Sequence, residues 1–462
     1  MSEAPSRSAV TIFASRRAFL QAGGAAGGAL LLGFRMPLAT SANVQAREPF
    51  APNAFIRIDR QGKVTLIMPQ VEMGQGIYTA VAMILAEELD VRLDEVRLEH
   101  APPSDALYGN PFFHIQVTGN SNSVRAFWTP LRTAGAGARA LLVGAAARRW
   151  RTDPSACRTE SGKVIHPASG RTVAYAALVE EAGRLTPPRE PQLKAPADFK
   201  LIGKPLKRLD TPEKVNGKAL YGIDVMPPGL KFATLRACPV FGGKVGHVDD
   251  SKAKQIPGVR QIVALEDLVA VVGDHMWAAT RGLAALEITW DEGENAQVTS
   301  EQVWQQLRAA SEKTGAIAKT AGDVTQALAS GERLEAAYEL PFLAHATMEP
   351  MNCTVHLKPD ACEIWVGSQV LSRAQAVAAQ LTGLPLDRVT AHNHLIGGGF
   401  GRRLEVDYVA KAVRIAKHVD GPVKVVWSRE EDIAQDIYRP VYRDRLAASL
   451  ANGRIVGWSH RI

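Results

Sequence analysis

The sequence predicts a multi-domain protein of the α+β class. The length of 462 residues is enough for about two or three domains. Short apolar strands alternate with helical patterns along the whole chain, which excludes an all-helical or all-strand fold. A composition of 46% hydrophobic and 22% charged residues is that of a globular protein with sizeable cores.

The N-terminus, residues 1–46, reads as an export signal and not as part of the fold. Arg16 and Arg17 precede a weakly apolar run, Ala22–Phe34, and a small-residue cleavage site follows at Val44–Ala46. Twin arginines in this setting predict a Tat leader, which exports folded proteins. We therefore expect a periplasmic protein; a disordered basic tail is the alternative.

Charge and cysteine content exclude two classes of function. The net charge is +7, of which residues 1–46 contribute +3 through four arginines and one glutamate, and the remaining basic residues are interspersed with acids. Nucleic-acid binding is therefore not expected. The four cysteines form no CxxC pattern, so no iron–sulfur cluster or protein-bound metal is expected in this chain. Cys353 and Cys362 flank a hairpin turned at 358–361 whose register pairs Cys362 with Leu357, which argues against a disulfide.

A glycine-rich loop, Gly397–Gly401, lies between an apolar run, 389–396, that contains the predicted strand Val389–Asn393, and a helix that begins near Val406. Glycines let the backbone take positive φ and approach a bulky ligand closely, and a nearby helix N-terminus with Arg402 favours an anion. Phe400 is either an anchor of the loop or a pocket wall. Neither a P-loop nor the dinucleotide fingerprint is present, and a tight turn in a sandwich remains the alternative.

Two further stretches in the first half lie between a strand and a helix. Glu72–Gly76 follows a predicted hairpin, 55–68, and precedes a helix, 79–89. The polar run Val117–Ser123 precedes a long helix, 124–150, rich in alanine and glycine. Both stretches could line a ligand, although the polar run could also serve only as a helix cap.

With these residues identified, the chain resembles the molybdopterin-binding large subunit of the xanthine oxidase/aldehyde oxidase family, in its isoquinoline 1-oxidoreductase beta subunit type. Two segments match cofactor loops, one matches the opening of the family's hammerhead domain, and two match further family motifs. These segments are Met73–Gly76, Gly397–Gly401, Tyr221–Val259, Met348–Pro350 and Trp365–Gln369. The first cofactor loop precedes the hammerhead motif here, whereas it follows it in most of the family.

The resemblance implies a domain organisation and a set of cofactor-binding residues. The implied domains are a Tat signal peptide (1–46), a permuted molybdenum-cofactor-binding segment (50–184), a proline-rich linker (185–217), an α/β hammerhead domain (218–293) and a first molybdenum-cofactor-binding domain that is incomplete at its C-terminus (300–462). The implied cofactor-binding residues are Gly74, Gln75, Gly76, Gly119, Ser121, Gln369, Gly398, Gly399, Phe400, Gly401 and Arg402. Gln75 and Gln369 could instead be structural amides, and Arg402 could instead pin the loop to a carboxylate.

The function implied by the resemblance is that of an exported molybdenum hydroxylase that oxidises N-heteroaromatic or aldehyde substrates with oxygen from water. The implied cofactor is molybdenum bound to molybdopterin, as the cytosine dinucleotide. The implied partners are a small subunit with two-iron two-sulfur clusters, the Tat translocon, a cofactor-insertion chaperone and an electron acceptor such as a cytochrome. The family's base glutamate is expected beyond Ile462, so the catalytic residue is unknown and the chain is expected to be a fragment or half of a split subunit. A non-catalytic exported binding or scaffold module is the alternative.

Overall fold

The computed structural model describes residues 50–462, which divide into two compact units. Unit 1 is the described part of Met1–Ala219, and unit 2 is Leu220–Ile462. The predicted leader lies outside the described residues. Within residues 50–462, no helix combines the length and the apolar character that a membrane span requires.

Unit 1 contains a four-stranded sheet, a small three-stranded antiparallel sheet and five α-helices within residues 50–219. The four strands lie in sequence order, with β3 and β4 parallel. The elements are β1 Phe50–Asn53, β2 Ile56–Ile58, β3 Val64–Met68, α1 Ile77–Leu89, β4 Arg97–His100, α2 Asp105–Tyr108, α3 Ser123–Trp150, β5 Arg158–Glu160, β6 Lys163–His166, β7 Arg171–Ala174, α4 Val179–Ala182 and α5 Thr211–Val215. The predicted hairpin, the helix after it and the long helix are confirmed.

Helices α1 and α3 pack closely against each other at Gly135. A Cβ on this glycine would lie 2.7 Å from the Cβ of Glu88 and 2.9 Å from the carbonyl oxygen of Leu85. A larger residue would therefore separate the two helices. This contact confirms the prediction that the alanine- and glycine-rich helix is buried and packed tightly on a neighbour.

The proline-rich segment 185–217 belongs to unit 1 and is bound along α1. The Glu87 carboxylate accepts hydrogen bonds from the backbone N–H groups of Lys200–Ile202, and Lys194 Nζ lies 2.9 Å from Glu87 and 2.7 Å from Asp90. The sequence predicted a linker and a domain boundary here; in the structure the segment lies along α1, and unit 2 begins just after it, at Leu220. Proline removes backbone donors, but the donors that remain meet buried carboxylates, so the segment is ordered on the helix.

Unit 2 contains a seven-stranded sheet, a two-stranded sheet and a three-stranded sheet. Its elements are β8 Lys231–Ala237, β9 Lys244–Asp249, β10 Val259–Ala264, β11 Leu268–Gly273, α6 Met276–Ala284, β12 Glu287–Asp291, α7 Ser300–Ser311, α8 Val324–Ala329, β13 Glu332–Leu340, β14 Asn352–Leu357, β15 Cys362–Val366, α9 Leu371–Thr382, β16 Val389–Asn393, α10 Asp407–Ala416, β17 Val423–Val426, α11 Arg429–Ala434, β18 Tyr442–Ala451 and β19 Arg454–Arg461.

The large sheet joins two segments that the sequence analysis separated. Its order is β10-β11-β8-β17-β14-β15-β16, so three strands come from residues 218–293 and four from residues 300–462. The reason is that β8 pairs with β11 along one edge and with β17 along the other. Residues 218–293 therefore do not close a large sheet of their own, and the assignment of a hammerhead domain stays a prediction.

The core of unit 2 packs α9 and α10 onto this sheet, and its strands deliver the chain to the glycine-rich loop. The β14–β15 hairpin pairs Leu357 with Cys362, which confirms the predicted register. Cys353 and Cys362 are both buried and free. Strand β16 ends at Asn393, so the loop begins where the sheet ends.

Candidate functional site

The glycine-rich loop of unit 2 is held open by left-handed backbone conformations. Leu395 forms an isolated parallel bridge with Tyr221 just before the loop. The φ angles of Gly398, Phe400 and Gly401 are 100°, 54° and 108°. Residues with a side chain rarely take such angles, so this path requires glycine at the first and last of these positions.

The loop presents a row of backbone donors. The N–H of Gly397 donates to Glu349, and the N–H of Arg402 donates to the carbonyl of Gly399 at 2.8 Å. Between them, the N–H groups of residues 398–401 find no acceptor in the described part of the chain. Successive N–H groups on left-handed backbone form a concavity that binds anions and other hydrogen-bond acceptors. The loop therefore fits a ligand with several acceptor atoms, such as a molybdenum cofactor.

Phe400 forms an exposed wall of this loop. Its side chain is 60% exposed, and its ring lies over Gly398, where a Cβ would approach the ring to 3.4 Å. A non-glycine residue in this conformation costs about 1–3 kcal/mol. Arg439 holds the strained backbone by donating to the Phe400 carbonyl at 2.9 Å. The role of Phe400 as a pocket wall stays a prediction.

Arg403 supports the loop from below, a role that the sequence analysis did not assign. The side chain is fully buried and donates to the carbonyl oxygens of Gly367 at 3.1 Å, Gly398 at 3.2 Å and Glu349 at 2.8 Å. Five donors in a rigid fork suit a guanidinium to this task. The only signal in the sequence was its position directly after the glycines.

Glu349 joins the loop to two other segments. Its carboxylate accepts from the Gly397 N–H at 2.8 Å, the Ile223 N–H at 3.0 Å and the Asn352 amide at 2.9 Å, and it lies 3.3 Å from Arg403. The Tyr221 and Glu349 motifs, which the sequence analysis treated as separate family markers, therefore meet beneath one loop.

The Arg402 side chain is paired with two carboxylates. Its side chain is 1% exposed, donates to both oxygens of Asp407 at 2.7 and 2.8 Å and lies 2.9 Å from Asp436. Burial lowers the pKa of Arg402, but the hydrogen bonds to Asp407 and the charge of Asp436 outweigh this effect and raise it. A direct contact between Arg402 and a cofactor is therefore corrected to the alternative role of pinning the loop.

Gln369 lies next to the base of the same loop. The residue is buried, with 4% exposure, and its backbone N–H donates to the Arg403 carbonyl at 3.0 Å. The structure thus brings together Gln369 and the glycines that the sequence predicted as site residues in unit 2. The contact of its side chain with a cofactor stays a prediction.

The first glycine loop, in unit 1, is organised around its own carboxylate. Glu72 is buried and accepts from the N–H groups of Gly74 at 2.8 Å, Gly76 at 3.0 Å and Tyr78 at 3.1 Å. Arg208 lies 3.0 Å from the same carboxylate. The donors that were predicted for a cofactor at Gly74 and Gly76 are therefore occupied within the protein.

Gln75 takes the structural role that was considered as an alternative. Its Nε2 donates to the Val71 carbonyl at 2.9 Å, and its Oε1 accepts from the Met73 N–H at 2.7 Å. Both ends of the amide thus close the loop on itself. The prediction of a cofactor contact from this side chain is corrected accordingly, and Gly74 and Gly76 keep only a lining role.

The polar run before α3 lies against this loop. Thr118 Oγ1 accepts from the Val71 N–H at 2.9 Å, and Ser123 Oγ donates to Gln70 at 2.7 Å. Asn122 occupies the cap position of α3 but does not cap the helix, because its Oδ1 accepts from Asn110 at 3.0 Å. The helix-cap interpretation of the run is therefore wrong.

The N-terminus of α3 therefore has no capping side chain. Ser121 is exposed and, like Asn120, has positive φ, and Gly119 is half-buried beside them. The first turn of α3 contains no acidic residue, and the N–H groups of residues 123–125 meet no acceptor among residues 50–462. An uncapped helix start of this kind favours a negatively charged group. In α1, by contrast, Glu72 already occupies the equivalent position.

A cavity elsewhere in unit 1 is separate from the glycine loops. A cavity of about 220 Å³ in unit 1 is lined by residues of the β2–β3 turn and the β5–β7 sheet, and none of the predicted cofactor residues lines it. No group of three or more His, Cys, Asp or Glu side chains within residues 50–462 could hold a metal ion.

The molybdopterin cofactor-binding domain family matches this chain twice, over residues 24–226 and 309–462. The beta subunit of isoquinoline 1-oxidoreductase of Brevundimonas diminuta is 32% identical over 98% of this chain and 64% of its own length. Membrane-bound aldehyde dehydrogenase [pyrroloquinoline-quinone] of Gluconacetobacter polyoxogenes is 31% identical over 97% of this chain and 60% of its own length. A nicotinate dehydrogenase subunit of Pseudomonas putida is 29% identical over 82% of this chain and 32% of its own length.

The chain spans less than two thirds of the length of each of these relatives. One domain match covers most of unit 1 and the other the second part of unit 2, from residue 309, and the glycine loops that carried the resemblance lie within them. The chain belongs to the xanthine oxidase/aldehyde oxidase family of molybdopterin-binding large subunits.

Proposed function

We propose that this chain provides the cofactor-binding framework of an exported molybdenum hydroxylase that oxidises N-heteroaromatic or aldehyde substrates. The observation that carries the proposal is the row of four unpartnered N–H groups at residues 398–401. Family membership supports it, and so do the relatives, whose names describe oxidoreductases or dehydrogenases.

Each unit by itself offers groups that suit a part of the cofactor. In unit 2, the N–H groups of residues 398–401 would bind acceptor atoms of the cofactor, with Phe400 and Gln369 beside them. In unit 1, Gly119, Ser121 and the N-terminus of α3 would bind the phosphates of the dinucleotide. Gly74 and Gly76 would line the binding site without donating hydrogen bonds to the cofactor. When bound, the cofactor supplies the two-electron oxidant, and water supplies the oxygen atom.

The residues of this chain would contribute binding and orientation. Arg402 and Arg403 would hold the loop rigid without contacting the cofactor, because both are buried and engaged by protein acceptors. A rigid loop would keep its donors aimed at one ligand position, which lowers the reorganisation needed when the ligand binds.

We further propose a periplasmic location after export by the Tat route, and a cytosine dinucleotide form of the cofactor. The proposed partners are the Tat translocon, a cofactor-insertion chaperone, a small subunit with two-iron two-sulfur clusters and an electron acceptor such as a cytochrome. The support for the leader is the twin-arginine pattern in residues 1–46. The support for an iron–sulfur partner is that the four cysteines of this chain form no cluster-binding spacing.

The proposal is tested by producing the protein with its leader and with molybdenum-cofactor maturation factors. Molybdenum is measured by mass spectrometry, and the cytidine nucleotide released by acid is measured by chromatography. We expect about one of each per chain, and co-purification of an iron–sulfur subunit when one is co-produced. Arg16→Lys with Arg17→Lys should keep the protein in the cytoplasm.

Two results would overturn the proposal. A fully matured preparation with neither molybdenum nor cytidine nucleotide would favour the non-catalytic scaffold. Pyrroloquinoline quinone, which is named in one relative, is assayed in the same extract. Its presence without molybdenum would replace the proposed cofactor.

A further inference from the structure

A buried histidine lies against the glycine loop of unit 2 and has one nitrogen without a partner. The side chain of His345 is 9% exposed. Its Nδ1 lies 3.1 Å from both carboxylate oxygens of Asp436. A Cβ on Gly401 would lie 3.6 Å from its Nε2, and Nε2 makes no hydrogen bond with any residue of the described chain.

The position of this imidazole is fixed from both sides. The backbone N–H of His345 also donates to Asp436, and Leu343 exchanges two backbone hydrogen bonds with Arg439. Arg439 in turn donates to the carbonyl of Phe400. The histidine and the loop are therefore parts of one hydrogen-bonded arrangement, and the free nitrogen cannot turn away without breaking it.

The carboxylate determines which nitrogen carries the proton. Asp436 is 1% exposed, and its Oδ1 lies 2.9 Å from the Nε of Arg402, so its carboxylate oxygens face donors on both sides. In the neutral imidazole, Nδ1 must then donate to Asp436, which leaves Nε2 as an acceptor that faces Gly401. The loop thus offers a row of N–H donors and, at its Gly401 end, one acceptor.

This mixed pattern distinguishes between the two ends of a molybdopterin dinucleotide. Phosphate oxygens accept hydrogen bonds but do not donate them, so an acceptor beside the loop would repel them. The edge of a pterin ring carries N–H donors next to acceptor atoms and complements both. We propose that His345 is a cofactor-binding residue that accepts a hydrogen bond from a pterin N–H at the Gly401 end of the loop. This inference rests on the proposed function.

Two variants separate this role from a purely structural one. In His345→Asn, the shorter amide can still donate to Asp436 but presents nothing where Nε2 stood. In His345→Phe, both contacts are lost. The matched control is His418→Asn, which changes an exposed histidine elsewhere in unit 2. All are produced with cofactor maturation factors, and the molybdenum and cytidine nucleotide that remain per chain are followed during dialysis.

We expect both His345 variants to lose molybdenum and nucleotide together, about ten-fold faster than the wild type, as the loss of one hydrogen bond predicts. The control should match the wild type, and the cofactor-free form of His345→Asn should keep the wild-type melting temperature. If His345→Asn retains the cofactor at the wild-type rate, the inference is overturned while the proposed function stands. A matured wild-type protein without molybdenum or nucleotide overturns both.

Discussion

Replacing Glu349 with glutamine tests whether one carboxylate organises the glycine loop of unit 2. The change preserves shape and removes only the charge and one acceptor. The carboxylate accepts three hydrogen bonds, two at Oε1 and one at Oε2, and faces the buried Arg403 at 3.3 Å. A glutamine has one acceptor oxygen, so its NH₂ group must point at donors in either orientation.

The expected loss of stability follows from the groups that lose their hydrogen-bond or ion-pair partner. If the amide oxygen takes the Oε1 position, the N–H of Gly397 loses its acceptor, which costs about 1–3 kcal/mol. Arg403 also loses its counter-charge while it remains fully buried. Breaking a buried ion pair from one side costs about 3–5 kcal/mol. We therefore expect Glu349→Gln to reduce the free energy of unfolding of unit 2 by about 3–5 kcal/mol.

The measurement is urea unfolding followed by far-ultraviolet circular dichroism, with calorimetry to resolve the transitions of the two units. The control is Glu363→Gln, which removes a carboxylate from the same sheet where it pairs with His392 at the surface. Exposed pairs contribute about 0–1 kcal/mol, so this variant should unfold almost like the wild type. If the two variants lose equal stability, Glu349 does not hold the loop in the way described.

Three further predictions concern unit 1 and the cysteines. Burial raises the pKa of Asp210, but hydrogen bonds from two neighbouring cations outweigh this effect and hold the pKa at about 2, below its ordinary 3.8. The stability that it contributes is complete above pH 4 and is lost as the pH falls towards 2, so Asp210→Asn should flatten the acid-unfolding curve in that window. Glu87→Gln should cost about 1–3 kcal/mol in urea unfolding, because Lys194 keeps Asp90 but loses the second of its two carboxylate partners, whereas the surface variant Glu95→Gln should cost less than about 1 kcal/mol. Of the four cysteines, only Cys157 is not buried, so one thiol should react with a disulfide reagent in the folded protein and four after unfolding; fast labelling of a second thiol in the folded protein would contradict the burial.

Most helices and strands could be predicted because periodicity and turn residues depend only on neighbouring positions in the sequence. The strand Val389–Asn393 was predicted with its observed bounds, and the β14–β15 register followed from the turn at 358–361. The separation of 218–293 from the second half was not supported by the large sheet, because the parallel pairing of β8 with β17 joins residues about 190 positions apart. Periodicity carries no information on such long-range pairing.

The same limit applies to the candidate site. The glycines were identified because composition alone marks a loop with positive φ. The supporting side chains, Glu349 and Asp436, were not, because a buried carboxylate and a surface carboxylate look the same in a sequence. The pairing of Arg402 with a carboxylate was predicted as an alternative, but its partner Asp436 could not be named, since it lies 34 positions away. The binding of the proline-rich segment along α1 could not be predicted for a similar reason, because the acceptors of its N–H groups lie on that helix.

The two glycine loops resemble each other in sequence but offer a ligand opposite electrostatics. In the first loop, the N–H groups and the start of α1 are neutralised by Glu72. A phosphate placed there would face a buried carboxylate and find the N–H groups of Gly74, Gly76 and Tyr78 occupied. In the second loop, the acidic side chains hold Arg402 and Arg403 beneath the backbone and leave the N–H groups of residues 398–401 free. Taken each by itself, the second loop therefore suits acceptor atoms of a ligand along residues 398–401, and the first loop, whose donors at Gly74 and Gly76 are occupied, suits an uncharged group.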